Sequence, residues 1–316
     1  MTAPLATWAD YVSIARLDHV TKHIFILPGF MVALLLRGRA GLSAGTVLSG
    51  LAAAFCIACA NYVINEWLDR DTDRFHPLKS GRTAVRKQLC PGIVVIEWSM
   101  LLAAGLLCAS LAGTTMLCIA GVFAAQGVVY NVRPLRTKDL PFVDVVSESI
   151  NNPLRLMIGW AMVDPATLPP SSILLLYWTG GAFLMAAKRL SEFRDIVASH
   201  GKGVLARYRA SFAWYSEASL TASCFVYALL SSFFLAIFLV KYRIEYLLTV
   251  PVIIALFTRY LVLSMLTSSL SRNPENLFHE RGLVVLVALL AAVFALMTLI
   301  DVPALEAFTD QRFIAL

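Results

Sequence analysis

The sequence predicts an all-α fold: a polytopic membrane helical bundle of about nine transmembrane helices with a cytoplasm-facing active-site cavity. Composition, the length of the apolar runs and the shortness of the links between them predict it. Apolar residues make up 59% of the 316-residue chain, charged residues 15%, and mean hydropathy is +0.75, well outside the range of a soluble domain. Apolar runs suited to crossing ~30 Å of hydrocarbon lie near 24–38, 46–66, 91–112, 114–130, 141–163, 171–189, 212–240, 245–268 and 283–302. Short links at Gly113 and Pro169 make antiparallel hairpins. No linker or break in composition divides the chain, so residues 1–316 read as a single transmembrane domain.

Residues 1–21 read as an interfacial segment. They show no basic n-region followed by an apolar core and cleavage site, and Leu5, Trp8, Tyr11 and Ile14 recur at three-residue spacing, as on a helix lying at the membrane surface. The six cysteines sit almost entirely in apolar runs and read as small hydrophobes. Cys56 and Cys59 form a C-x-x-C, but without a second pair or a neighbouring histidine it lacks the pattern of a metal or redox site.

Most of the 26 Lys and Arg residues fall in the N-terminal segment and in the links after the second, fourth, sixth and eighth spans. Positive loops stay in the cytoplasm, so the N-terminus and the active-site loops are expected there, in a multi-pass protein of the cell's inner (cytoplasmic) membrane. The net charge of +6 then describes one face, suited to anionic headgroups or a phosphorylated substrate. No soluble basic domain is present to hold nucleic acid, which is not expected as a partner; association into a homo-oligomer is left open.

Asn65, Glu66, Asp69 and Asp73 close the second span and open the first large basic loop. Asn65, Asp69 and Asp73 are four apart, so on a helix each lies about 40° from the last and the three make one oxygen-lined face. Hard oxygens in a row suit Mg²⁺, which keeps several waters and bridges to substrate phosphates. Lys79 and Arg82 follow as counter-charges for phosphate oxygens. A solvated loop laced with i, i+4 ion pairs would explain scattered charges. It would not explain Asn65 and Glu66 at the end of an apolar helix.

Lys188, Arg189, Glu192 and Asp195 leave the sixth span. A positive-inside anchor accounts for the two cations; direct phosphate contact accounts for them and leaves a role for the acids. Asp144, Glu148, Asn151 and Arg155 recur at spacings of four, three and four inside the fifth span and read as one polar stripe facing a water-filled cavity. Asn61, one turn before Asn65, faces the same cavity or bonds another helix.

These residues resemble the UbiA superfamily of intramembrane transferases, marked by N-D-x-x-D-x-x-x-D at the end of helix 2. Here the motif reads Asn65-Glu66-x-x-Asp69-x-x-x-Asp73, with Glu66 in place of the usual aspartate. Arg74, His76, Pro77, Lys79 and Arg82 are similar to the family's continuation, and Tyr130-Asn131-Val132-Arg133-Pro134-Leu135-Arg136-Thr137-Lys138 to its loop between helices 4 and 5. The resemblance implies transfer from a diphosphate donor. Most members carry a second aspartate-rich motif on helix 6; Lys188-Arg189-x-x-Glu192 instead resembles the branch of decaprenyl-phosphate phosphoribosyltransferase, as do Arg16 and Lys22 near the N-terminus, while Leu17, Val20 and His23 depart from that branch's pattern.

The implied reaction moves 5-phosphoribose from phosphoribosyl pyrophosphate to a polyprenyl phosphate lipid, Mg²⁺-dependent and releasing pyrophosphate. Asn65, Glu66, Asp69 and Asp73 are then metal ligands, with Asp69, Asp73 and Lys188 catalytic. Lys22, Lys79, Arg82, Tyr130, Arg155, Arg189 and Glu192 are expected to bind substrate, and His76 to orient a carboxylate or phosphate. One alternative is prenyl transfer from a prenyl diphosphate to an aromatic acceptor. A non-enzymatic one is a transporter of phospholipid or polyprenyl phosphate, disfavoured because the ionisable groups gather at one face and no paired broken helices occur.

Overall fold

The computed structural model describes residues 4–38, 42–266 and 280–308, which form helices joined by turns. The chain divides into two compact units, Met1–Pro169 with Asp195–Glu217, and Pro170–Arg194 with Ala218–Leu316.

The first unit opens with α1 (Trp8–Ile14), a 3₁₀ stretch (Leu17–Ile26) and α2 (Leu27–Arg37). Then come α3 (Ala44–Asp73), α4 (Thr83–Arg86), α5 (Pro91–Ala112) and α6 (Thr114–Asn131). Ser43 starts α3, its side chain accepting the Thr46 N–H at 3.1 Å, and Pro91 opens α5 where no backbone donor is needed. Gly113 turns α5 into α6 at φ 120°, a conformation that favours glycine. α3 is the spine of this unit. Its Ala53, Ala54, Ile57 and Ala58 share a buried cluster with Met116, Ile119, Ala120 and Phe123 of α6. Small residues let membrane helices approach closely. A Cβ on Gly29 of α2 would lie 2.0 Å from the Leu156 carbonyl oxygen, and one on Gly159 would lie 2.1 Å from that of Ile26, so neither position admits a side chain.

The expected interfacial helix is short. Within it Tyr11 and Ile14 are buried with Cys59, Val63 and Val94, while Trp8 is exposed; Leu5 precedes the helix in a parallel bridge with Gln88. The anticipated fifth span, 141–163, is divided into α7 (Val143–Ser149) and α8 (Asn151–Ala161).

In the second unit α9 (Ser171–His200) begins and later passes into the first, where α10 (Lys202–Tyr208) follows. α11 (Glu217–Tyr242), α12 (Val250–Met265) and α13 (Arg281–Leu299) complete the helices. Phe183 of α9 meets Phe257 and Tyr260 of α12 at ring separations of 4.6 and 5.9 Å. Arg259, a cation inside an apolar run, pairs with Glu280 at 2.5 Å.

Among the described residues seven helical stretches are long and apolar enough to cross a membrane, against the about nine expected. The sixth expected run is helical but diluted by Tyr177, Trp178, Thr179 and two glycines, and the fifth is broken into short helices. The stretch Trp8–Arg37 counts as one candidate span, longer than the 24–38 expected. Most of the basic loop expected after the eighth span lies at 267–279, outside the described residues.

Candidate active site

α3 runs beyond its apolar stretch and carries Asn65, Glu66, Asp69 and Asp73 on its last turns. Opposite lies the end of α6 and the loop that follows it. Asn65 donates from Nδ2 to Asn131 Oδ1 at 2.5 Å and to Asp69 Oδ2 at 3.2 Å. Asp69 Oδ1 accepts from Lys138 Nζ at 2.5 Å and from Arg136 Nη2 at 2.9 Å. Lys138 Nζ also donates to Asn131 Oδ1 at 2.8 Å, and Asn131 Nδ2 to the Gly127 carbonyl at 2.8 Å. Asn131, Arg136 and Lys138 thus clamp the middle of the acidic row.

The row's lower end is held separately. Asp73, 2% exposed, accepts from Arg82 Nη1 at 2.5 Å. Glu66, expected among the metal ligands, is buried, and its carboxylate accepts the Ala84 N–H of α4 at 3.4 Å, within electrostatic reach of Arg82 and Asp73. One residue along a helix is a 100° rotation, which aims Glu66 at the returning loop.

His76 Nδ1 accepts the N–H groups of Leu78 and Lys79, both at 3.1 Å, so its ring proton resides on Nε2. The His76 ring meets Tyr208 of α10 edge-on at 4.4 Å. Lys79 donates to the Tyr208 hydroxyl and lies 4.4 Å from the centre of its ring.

A third layer backs this one. Tyr130 donates to Glu148 Oε2 at 2.6 Å and accepts from Arg209 Nη2 at 2.6 Å. Arg209 also donates to the Lys138 carbonyl at 3.1 Å and pairs with Asp144 at 3.5 Å. Asp144, fully buried, further accepts from Tyr215 and Ser211. The polar stripe expected along 144–155 therefore divides. Asp144 and Glu148 of α7 orient Arg209 and Tyr130, whereas Arg155 of α8 lies over the Phe123 ring at 5.3 Å and donates to the Asn151 carbonyl at 3.4 Å. Among the described residues its buried Nε has no hydrogen-bond partner. Lys22 bonds His19 Nδ1 at 3.0 Å and faces the Tyr62 ring at 5.3 Å.

In the second unit, Arg189 and Glu192 are buried at 1% and 4% exposure and pair at 3.0 Å. Lys188 lies in the same turn of α9; Asp195 begins the chain's return to the first unit.

Among the described residues no three or more His, Cys, Asp or Glu side chains converge as a metal cage. The donor set fits magnesium differently. Asn65, Asp69 and Asp73 offer hard oxygens one turn apart, and Mg²⁺ commonly takes one or two carboxylates and fills the rest of its octahedron with water and substrate phosphate. Lys138 pairs with Asp69 and Arg82 with Asp73. Burial pushes the Lys138 ammonium down from the usual 10.5 to about 8, with Arg136 adding to the fall and Asp69 opposing it.

Sequence reasoning did not assign Arg136, Lys138, Tyr208 and Arg209. The first two stand within the 130–138 stretch that carried the resemblance; the others, at the end of α10 and just after it, lie in a stretch with no motif of its own.

Residues 26–279 match the profile of the UbiA prenyltransferase family. The chain belongs to that family. Its transferase character and its multi-pass membrane fold follow from that membership and from the helices described above. The fold is similar to a UbiA homologue from Archaeoglobus fulgidus bound to GPP and Mg²⁺, at TM-score 0.67 and 19% identity, covering 92% of this chain and 100% of that one. The same homologue bound to DMAPP and Mg²⁺ gives TM-score 0.66 and 18% identity over 91% and 99% of the two chains. A digeranylgeranylglyceryl phosphate synthase structure gives 0.59 and 14%, over 92% and 95%. No curated protein matches the sequence.

Proposed function

We infer that this UbiA-family member transfers 5-phosphoribose from phosphoribosyl pyrophosphate to a polyprenyl phosphate, with the whole chain acting as one transmembrane domain of the inner membrane and its active-site loops cytoplasmic. The observation that carries the ribosyl donor is in α9. Where prenyl-diphosphate users place several aspartates, this helix offers Lys188, Arg189 and one acid, Glu192, whose carboxylate is already paired with Arg189. That turn supplies cations in place of a second metal clamp, and phosphoribosyl pyrophosphate carries a 5-phosphate beyond its diphosphate that needs them.

The fit of Asn65, Asp69 and Asp73 to magnesium supports their role as its ligands; the bound ion would neutralise charge growing on the leaving diphosphate. Lys138 and Arg136 hold the Asp69 carboxylate in position and Arg82 that of Asp73. Once substrate binds, their ammonium and guanidinium groups become donors to phosphate oxygens, beside Lys79, which Tyr208 aims. Glu66 braces α4 and thereby Arg82. In the reaction the bond from ribose C1 to the diphosphate oxygen breaks, its electron pair leaving with pyrophosphate, and a lipid phosphate oxygen forms the new bond to C1. The nucleophile is already an anion, so no side chain has to remove a proton. Arg155, whose buried Nε has no hydrogen-bond partner among the described residues, and Lys22 are assigned to the acceptor's phosphate.

The test is equilibrium binding of both substrates to wild type and Lys188→Ala. Loss of one charge-assisted contact predicts about 10-fold weaker phosphoribosyl pyrophosphate binding, with a smaller effect on the lipid. Unchanged donor affinity removes Lys188 from the reading. A second reading, prenyl transfer to an aromatic acceptor, is favoured by the Archaeoglobus fulgidus homologue's binding of GPP and DMAPP with Mg²⁺. It would require a neutral pocket for the arene.

A further inference from the structure

A cleft of about 350 Å³ opens on the side of α3 away from the Asn65–Asp69 pair. Trp67, Arg70 and Asp71 of α3's last turns and Arg74 just beyond them line one wall, and Lys87 and Pro91 the other. None of these residues takes part in the acidic row or its clamps. Arg70 is fixed in place: Nη1 donates to the Trp67 carbonyl at 2.9 Å and the guanidinium lies 4.9 Å from the Trp67 ring centre. Arg74 lies 4.8 Å from the centre of the Phe75 ring and is exposed. Lys87 reaches Asp10 only at 4.0 Å and keeps 34% of its side chain accessible. Three cations against one lining carboxylate leave the cleft positive.

The position decides what that charge is for. Ala44–Asp73 and Pro91–Ala112 are each long and apolar enough to cross a membrane and the cleft opens between the end of one and the start of the other, so a bilayer crossed by both puts the cleft at its headgroup layer, the depth at which a ring such as Trp67 settles. Below Pro91, α5 continues as an exposed apolar surface that includes Val95, Ile96 and Met100. A cationic notch above a greasy helix matches a molecule with an anionic phosphodiester head and acyl tails.

We propose that the cleft between the end of α3 and the start of α5 is a binding site for an anionic phospholipid of the surrounding bilayer, separate from the substrate site. Arg70, Arg74 and Lys87 hold the headgroup phosphate, and the tails lie along α5. Asp71 sits at the rim and weakens binding of anions.

The experiment measures lipid retained by the purified full chain in detergent, by native mass spectrometry, with phosphatidylglycerol or phosphatidylcholine supplied. Wild type should retain phosphatidylglycerol preferentially, and Arg74→Glu with Lys87→Glu should cut that retention about tenfold, each reversed charge acting near the membrane surface. Lys241→Glu, a charge reversal at the end of α11, should leave retention unchanged. Asp71→Asn, which keeps every cation and tests the site even where the double variant fails to fold, should raise retention. Equal retention of the two lipids, no loss in the folded double variant, or no gain in Asp71→Asn would overturn the proposal. Displacement of the lipid by millimolar inorganic phosphate would also overturn it, marking instead a site for soluble phosphate.

Discussion

The Lys138 ammonium lies 2.5 Å from the Asp69 carboxylate, joining two polar segments 69 residues apart at the centre of the candidate site. Arg136 reaches the same Asp69 oxygen at 2.9 Å, so the carboxylate keeps a partner when either cation is removed. Lys138→Met should therefore lower stability by about 1–3 kcal/mol, less than the loss of an isolated buried pair. Thermal unfolding in detergent reads this; an unchanged midpoint would show that the pair contributes nothing to the fold.

The same lysine gives a pH dependence in metal-free buffer. Its folded pKa of about 8 lies below the ordinary 10.5, so between those values the unfolded chain binds more protons than the folded one. The Lys138 contribution to stability should rise with pH across that window, since the cost of burying the charge disappears as the ammonium deprotonates. Subtracting the Lys138→Met profile from wild type in excess EDTA isolates it. A difference that falls from pH 8 to 10 would contradict the burial argument.

Asp69→Asn and Asp73→Asn should each abolish turnover while leaving the helix content and oligomer profile of the purified protein unchanged, and excess EDTA should do the same to wild type. Mg²⁺ or Mn²⁺ should restore the EDTA-treated enzyme. Full turnover in EDTA would remove the metal from the account.

Tyr208→Phe keeps the ring against His76 but deletes the hydroxyl that Lys79 meets. Donor KM should rise about 3- to 10-fold with kcat little changed, the loss of roughly one hydrogen bond in positioning a cation. A fall in kcat at constant KM would instead assign Tyr208 to the chemical step.

Much of this was legible in the sequence because the signals are local. Asn65, Asp69 and Asp73 share a helix, and helical spacing alone brings them to one face. What escaped depends on distance along the chain. Arg209 reaches Tyr130 and Asp144 from more than sixty residues away, and nothing in its own loop marks it. The 141–163 run is apolar enough to read as one span, yet Asp144 and Glu148 are drawn into hydrogen bonds with Tyr215, Ser211 and Tyr130, and the helix is divided at Ile150. Glu66 reads as a ligand by its place in the motif; the backbone amide of Ala84 that it also meets comes from the return of α4, eighteen residues on.

The central claim, a phosphoribosyl donor, is tested most directly by pyrophosphate release. Purified protein with Mg²⁺ receives either phosphoribosyl pyrophosphate with a polyprenyl phosphate, or a prenyl diphosphate with an aromatic acceptor, and pyrophosphate and the lipid product are measured. The account predicts pyrophosphate and a phosphoribosylated lipid in equal amounts from the first pair and neither product from the second. Pyrophosphate and a prenylated arene from the second pair, with none from the first, would contradict it.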